Sequence, residues 1–175
     1  MSLAESGAIA GVVFVAAILQ AALFSSIYIL GGTADVLLLA LIGLALARGS
    51  VAGALAGFFG GALLDVMTLD TLGVSALLYA LAGYWTGRYG ETTGRDRSHA
   101  ALLAVLVVTI LVAVAGFALH FLLGDDVSLR RALFETLVPG IALNLLVAAP
   151  VFAVCRAVLR RVSPSDRVVQ VGFGG

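Results

Sequence analysis

Long apolar runs separated by short polar loops fill most of this chain of 175 residues. Apolar residues make up 62% of it, charged residues only 11%, and the mean hydropathy is +1.15. Soluble domains have roughly 45–50% apolar and about 25% charged residues. A hydrocarbon layer of about 30 Å is crossed by about 20 helical residues, a length that several of these runs reach. The sequence therefore predicts an all-α integral membrane protein.

Six apolar segments are expected to cross the membrane as one helical bundle over residues 1–162, followed by a short, flexible tail over 163–175. The predicted segments are 8–30, 35–47, 50–67, 74–87, 99–123 and 132–159. No basic residue precedes the first, which therefore lacks the positive start of a signal peptide and should be retained. The second is short for a crossing, and Pro139 and Pro150 should bend the sixth.

The basic residues are all arginine and are unevenly distributed among the loops. With six crossings and a cytoplasmic start, eight arginines fall on the cytoplasmic side, while only Arg130 and Arg131 fall outside. The eight are Arg48, Arg88, Arg95, Arg97, Arg156, Arg160, Arg161 and Arg167. Because loops rich in arginine tend to stay in the cytoplasm, both termini are predicted to be cytoplasmic.

Glycine recurs at every fourth residue in the third segment, and the next step of four reaches Asp65. The glycines are Gly49, Gly53, Gly57 and Gly61. A helix from Gly49 to Asp65 would extend about 24 Å, so one winding face would present small residues across most of a bilayer. Such a face lets another helix backbone approach closely. Two interpretations remain open: chance or packing within the chain, and a docking surface for a partner helix or a second copy.

Three polar residues within or at the end of the apolar segments are the other site candidates. Gln20 and Asn144 either line a central pocket or hydrogen-bond between helices. Asn144 lies between the two prolines and could also satisfy a backbone group that a proline leaves free. Asp65 either caps the turn that follows it at the membrane boundary or contacts a partner. The sequence leaves these alternatives unresolved.

No pattern in the chain is typical of a catalytic or metal site. Cys155 is the only cysteine, and His99 and His120 lie far apart in sequence. Neither a thiol cluster nor a histidine pair is therefore available for a metal. Loops of at most about a dozen residues leave no room for a catalytic domain outside the membrane. A net charge of zero gives no basis for nucleic-acid binding. No enzyme activity, cofactor, metal or nucleic acid is expected.

Residues 57–77, G-F-F-G-G-A-L-L-D-V-M-T-L-D-T-L-G-V-S-A-L, resemble the most recognisable stretch of the MreD family of bacterial rod-shape-determining membrane proteins. The shared pattern is a glycine-rich helix, the spacing Gly61-x-x-x-Asp65, a short polar turn, then Leu72-Gly73 and a helix that starts with small residues. The D-V-L-L-L run at 35–39, the chain length and the short loops are also similar to that family.

The resemblance implies a non-enzymatic subunit of the cell-elongation (rod) complex in the bacterial cytoplasmic membrane. Its partners would be MreC, a single-pass membrane protein, and, directly or indirectly, the MreB filament and the peptidoglycan synthases. Partner binding or helix packing would fall on the glycine face, Asp65, Leu72 and Gly73. The family is also similar in fold to the substrate-binding subunits of energy-coupling vitamin transporters. Small-molecule binding is therefore the alternative function, although the sequence supplies few convergent polar groups for a pocket.

Overall fold

A computed structural model of the chain describes residues 3–26, 34–93, 98–124 and 137–162. Within those ranges the regular secondary structure is helical, and the prediction of an all-helical fold is confirmed. The six described helices are α1 (Leu3–Ser26), α2 (Val36–Arg48), α3 (Ser50–Thr68), α4 (Val74–Thr93), α5 (Ser98–Leu122) and α6 (Val138–Val162). The expected tail at 163–175, the expected start of the sixth segment at 132, and Arg95, Arg97, Arg130, Arg131 and Arg167 lie outside the described residues.

Four of the described helices are long and apolar enough to cross a membrane, namely α1, α3, α5 and α6. The helix α4 has 20 residues and extends about 30 Å, but its last turns carry Arg88 and Glu91. The helix α2 has only 13 residues and extends about 20 Å, which is less than a hydrocarbon layer of about 30 Å. The second segment therefore differs from the predicted full crossing, because its helix is a short inner one.

The short helix α2 lies at the centre of the bundle and packs against each of the other five described helices. Every residue from Leu37 to Ile42 is at most 2% exposed. A helix that is apolar on all sides is suited to such a position, since no face of it needs water. Gly43 lets α6 approach, because a Cβ there would lie 3.1 Å from the Phe152 ring. The hydrophobic core is thus built around α2.

The bundle has two distinct ends. At one end the Arg48 guanidinium donates a hydrogen bond of 3.0 Å to the carboxylate of Glu5, which joins α2 to the start of α1. The opposite end holds the turn between α3 and α4, which contains Asp70. These are called the Arg48 end and the Asp70 end below. The antiparallel pair α3 and α4 runs between them and forms the most extensive helix contact in the described structure.

Candidate functional site

The glycine face of α3 packs directly against α4 of the same chain. The residues in contact are Gly53 with Gly83, Gly57 with Tyr79, and Gly61 with Ser75. In each pair, a Cβ on the α3 glycine would overlap the backbone carbonyl of the α4 residue. The contact positions on α4 are also four residues apart, so small residues and backbone meet along both helices. The surface that could have received a partner helix is therefore occupied by α4, and a partner must contact another face.

Gly49 has a different role from the other three glycines of the repeat. It ends α2 and precedes α3, and its φ of +94° lies in the left-handed region that favours glycine. Its N–H donates a hydrogen bond of 2.8 Å to the carbonyl of Ala45, which closes the last turn of α2. The chain can therefore reverse direction between two adjoining helices with a single linking residue.

Asp65 caps the first turn of α4. It is 1% exposed, and its carboxylate accepts hydrogen bonds from the N–H groups of Gly73, Ser75 and Ala76 at 2.8, 3.2 and 3.4 Å. The first N–H groups of a helix have no partner within the helix, and the helix dipole favours negative charge beside them. These contacts correspond to the first of the two alternatives for Asp65, in which it caps the turn that follows it. Leu72, in the same turn, is 72% exposed.

Glu91 makes the corresponding cap at the Arg48 end. Its Oε1 accepts hydrogen bonds from the Ser50 N–H at 2.8 Å and from the Ser50 hydroxyl at 3.0 Å, at the start of α3. These hydrogen bonds, chiefly the one from the backbone N–H, hold the pKa of the Glu91 carboxyl below its usual range. Arg88 adds an exposed ion pair at 3.4 Å, which contributes little. The helices α3 and α4 thus each supply a carboxylate that caps the other.

A second group of polar side chains surrounds the start of α2. This polar cluster consists of Gln20, Asp35, Tyr79, Thr109 and Asn144. The Gln20 amide oxygen accepts the Val36 N–H at 2.7 Å, and the Asn144 amide oxygen accepts the Asp35 N–H, also at 2.7 Å. Asp35 itself accepts the Leu38 N–H at 2.9 Å as the cap of α2. Side chains from α1 and α6 therefore complete the first turn of α2.

Two further hydrogen bonds extend the polar cluster to α4 and α5. The Tyr79 hydroxyl donates to Asp35 at 2.7 Å, and the Asn144 amide nitrogen donates to the Thr109 hydroxyl at 3.2 Å. Tyr79 and Asn144 lie about 7–9 Å along the helix axis from the first residues of α4 and α6. A helix that begins within the hydrocarbon layer finds no water for its first N–H groups and needs partners within the protein. The polar cluster meets this need and ties four helices to the central one.

The structure places Gln20 and Asn144 in contacts between helices, each with 2% exposure. The described contacts of the Asn144 amide are with the Asp35 N–H and with the Thr109 hydroxyl on α5, and its predicted role beside a proline stays a prediction. Sequence reasoning missed Tyr79, Thr109 and Glu91, whose hydrogen-bond partners lie 44, 35 and 41 residues away. The cap at Asp35 did have a local signal, since an aspartate directly before an apolar run is typical of a helix start.

A comparison with protein families places this architecture among known proteins. The model of the rod shape-determining protein MreD matches residues 6–162, which include the α3–α4 pair and the whole polar cluster. No curated protein and no solved structure matches the chain. The match extends far beyond the stretch at 57–77 and agrees with a multi-pass membrane protein. The chain belongs to the MreD family of rod shape-determining membrane proteins.

Proposed function

We propose that this protein is a non-enzymatic membrane subunit of the bacterial cell-elongation complex. It would act as a scaffold that joins an MreC-like single-pass protein to the peptidoglycan synthases and, directly or indirectly, to the MreB filament. The observation that carries the proposal is the family match over residues 6–162, since that family determines rod shape.

The use of the buried polar groups supports a scaffold. The carboxylates of Asp35 and Asp65 both accept hydrogen bonds from helix starts, which gives both a structural role. The amides of Gln20 and Asn144 are likewise engaged with α2 and do not converge on a ligand pocket. Within the described ranges, no three potential metal ligands come together. These groups hold helices in place, as a scaffold requires.

The turn between α3 and α4 is the proposed contact with the partner. Leu69 and Leu72 are 92% and 72% exposed, beside the outward side chains of Val66 and Met67. Leu69 has a φ of +56°, a conformation that costs a residue with a side chain about 1 kcal/mol. Leu69 ends α3 in this left-handed conformation, which directs an apolar side chain out of the turn, where a partner helix at the membrane boundary could contact it. Gly73, with its φ of +98°, completes the turn that presents both leucines.

The orientation in the membrane is proposed from the arginines. The described arginines of the loops and helix ends lie toward the Arg48 end, which should therefore face the cytoplasm. The leucines of the α3–α4 turn would then face outward, where the larger part of an MreC-like protein is found. A reporter that is active only outside the cytoplasm should stay inactive when fused to the C-terminus. Activity of that fusion would contradict the orientation.

Co-purification tests the partner contact. The variant Leu69→Ser/Leu72→Ser should lose the MreC-like partner after detergent extraction, while its elution and unfolding stay like those of the wild type. Leu146→Ser is the matched control, because Leu146 is 75% exposed on α6, away from the turn. Equal partner recovery for both variants would contradict this placement of the site.

The cellular role is tested by depletion. A rod-shaped host should become round when the protein is depleted, and its vitamin uptake should not change. Mass spectrometry of the purified protein tests the alternative function. A retained vitamin-like molecule, together with no recovery of wall-synthesis components, would favour a substrate-binding subunit of a transporter.

A further inference from the structure

An open groove runs along the outward side of α6 toward the Arg48 end. Its volume is about 430 Å³, and it is lined by Ala149, Ala153, Arg156, Ala157 and Arg160. The alanines recur at every fourth residue, so they share one side of the helix over about 12 Å of its length. All three are exposed. Because methyl groups leave room that larger side chains would fill, the groove can hold a flexible hydrocarbon chain.

Two arginines line the same groove, one helical turn apart. Both Arg156 and Arg160 are exposed, and α6 contains no aspartate or glutamate. In the part of the chain that the structure describes, no ion pair or hydrogen bond engages either guanidinium group. Among the described residues, two positive charges without a counter-charge therefore lie beside the row of exposed alanines, near the end of a helix that can span a membrane.

We infer that this groove binds an anionic phospholipid. The headgroup phosphate lies between Arg156 and Arg160, and one acyl chain lies along the three alanines. Guanidinium groups match phosphate oxygens with paired, charge-assisted hydrogen bonds, and basic pockets at membrane depth bind anionic headgroups. The row of exposed alanine methyl groups beside the charges favours a lipid over a free phosphate, which would leave these methyl groups without an apolar partner. The α6 groove is separate from the α3–α4 turn that is proposed to bind a protein partner.

Native mass spectrometry of the full, detergent-extracted chain tests the site. The protein is titrated with phosphatidylglycerol, with phosphatidylcholine and with glycerol phosphate, which carries the anionic group without an acyl chain. Phosphatidylglycerol should bind most tightly. Each of Arg156→Gln and Arg160→Gln should weaken its binding about fivefold, and the double variant about thirtyfold, as expected for one basic group each.

Two further variants distinguish lipid binding in the groove from binding that depends only on the general positive charge of the surface. Arg161→Gln removes the same charge from an adjacent, exposed residue that does not line the groove, and it should leave phosphatidylglycerol binding unchanged. Ala153→Leu should fill the groove and weaken lipid binding without changing the weak binding of glycerol phosphate. Unchanged elution of each variant shows that it is folded. The site would be overturned by an equal effect of Arg161→Gln, by equally tight binding of glycerol phosphate, or by full lipid binding in the double variant.

Discussion

Replacing Gly57 by alanine tests whether the contact between α3 and α4 depends on a missing side chain. A Cβ at this position would overlap the Tyr79 carbonyl oxygen and lie 2.8 Å from the Ala80 nitrogen. Both are backbone atoms of a helix, so they cannot rotate away, and α4 must withdraw as a unit. A gap of about 0.5–1 Å removes a quarter to a half of the dispersion energy of each contact. Since helix association in a membrane depends strongly on such packing, the bundle should be destabilised.

The size of the effect follows from two opposing contributions. Overpacking a well-packed contact costs about 1–3 kcal/mol, and a clash with backbone belongs near the upper value. Alanine restores about 1 kcal/mol through its better helix propensity. Gly57→Ala should therefore lower the free energy of unfolding by about 2 kcal/mol. Gly11 on α1 is the matched control, because a Cβ there meets no atom within 4 Å, and Gly11→Ala should gain up to about 1 kcal/mol.

The assay uses the only tryptophan of the chain. Trp85 lies on α4, so its fluorescence follows the separation of α4 during unfolding in mixed micelles of mild and denaturing detergent. Gly57→Ala should unfold at a lower fraction of denaturing detergent than the wild type, and Gly11→Ala should not. The two variants should differ by about 3 kcal/mol, the sum of a loss and a gain. Equal stability of the two would refute the close backbone contact.

Three further predictions concern the carboxylates. Asp65→Ala should lower the free energy of unfolding by about 2–4 kcal/mol by leaving helix N–H groups unpaired. The exposed Asp70 carboxylate accepts one described hydrogen bond, from the Thr71 N–H, so Asp70→Ala should change the free energy of unfolding by at most about 0.5 kcal/mol in the same assay. Similar losses would show that Asp65 is not a cap. A double-mutant cycle of Tyr79→Phe and Asp35→Asn should give a coupling energy of about 1–2 kcal/mol, and additive effects would contradict their hydrogen bond. Glu91 has a folded pKa below its unfolded value of about 4.3, so its stabilisation is present above about pH 5 and is lost as the pH falls through the folded pKa. The stability difference between the wild type and Glu91→Gln should therefore shrink in acid, and a difference independent of pH would exclude this role.

The class of the protein and the limits of several helices could be predicted from sequence because their causes are local. A long apolar run must satisfy its own backbone groups in hydrocarbon, so it forms a helix whatever its neighbours are. The predicted starts at 50 and 74 agree with Ser50 and Val74. Both follow a glycine with positive φ, Gly49 or Gly73, and glycine is the residue that permits such a turn.

The glycine repeat marks the boundary between local and tertiary information. Its spacing predicts that the backbone of another helix can approach α3 closely, and the structure shows such a contact. The spacing does not identify the helix that approaches, because the same glycine at position 57 would suit a contact with α4 or with a partner helix. Only the folded chain shows that Tyr79 and Gly83 of α4 occupy the face.

The polar cluster and the second carboxylate cap depend entirely on tertiary structure. Asp35 and Asn144 are separated by 109 residues, and Ser50 and Glu91 by 41. The sequence shows that each group is polar and therefore needs a partner in an apolar surrounding. Which partner it finds depends on the depth at which α2 begins and on the helices that surround it. Sequence alone thus determined that these polar groups must be paired, and packing of remote helices decided the pairs.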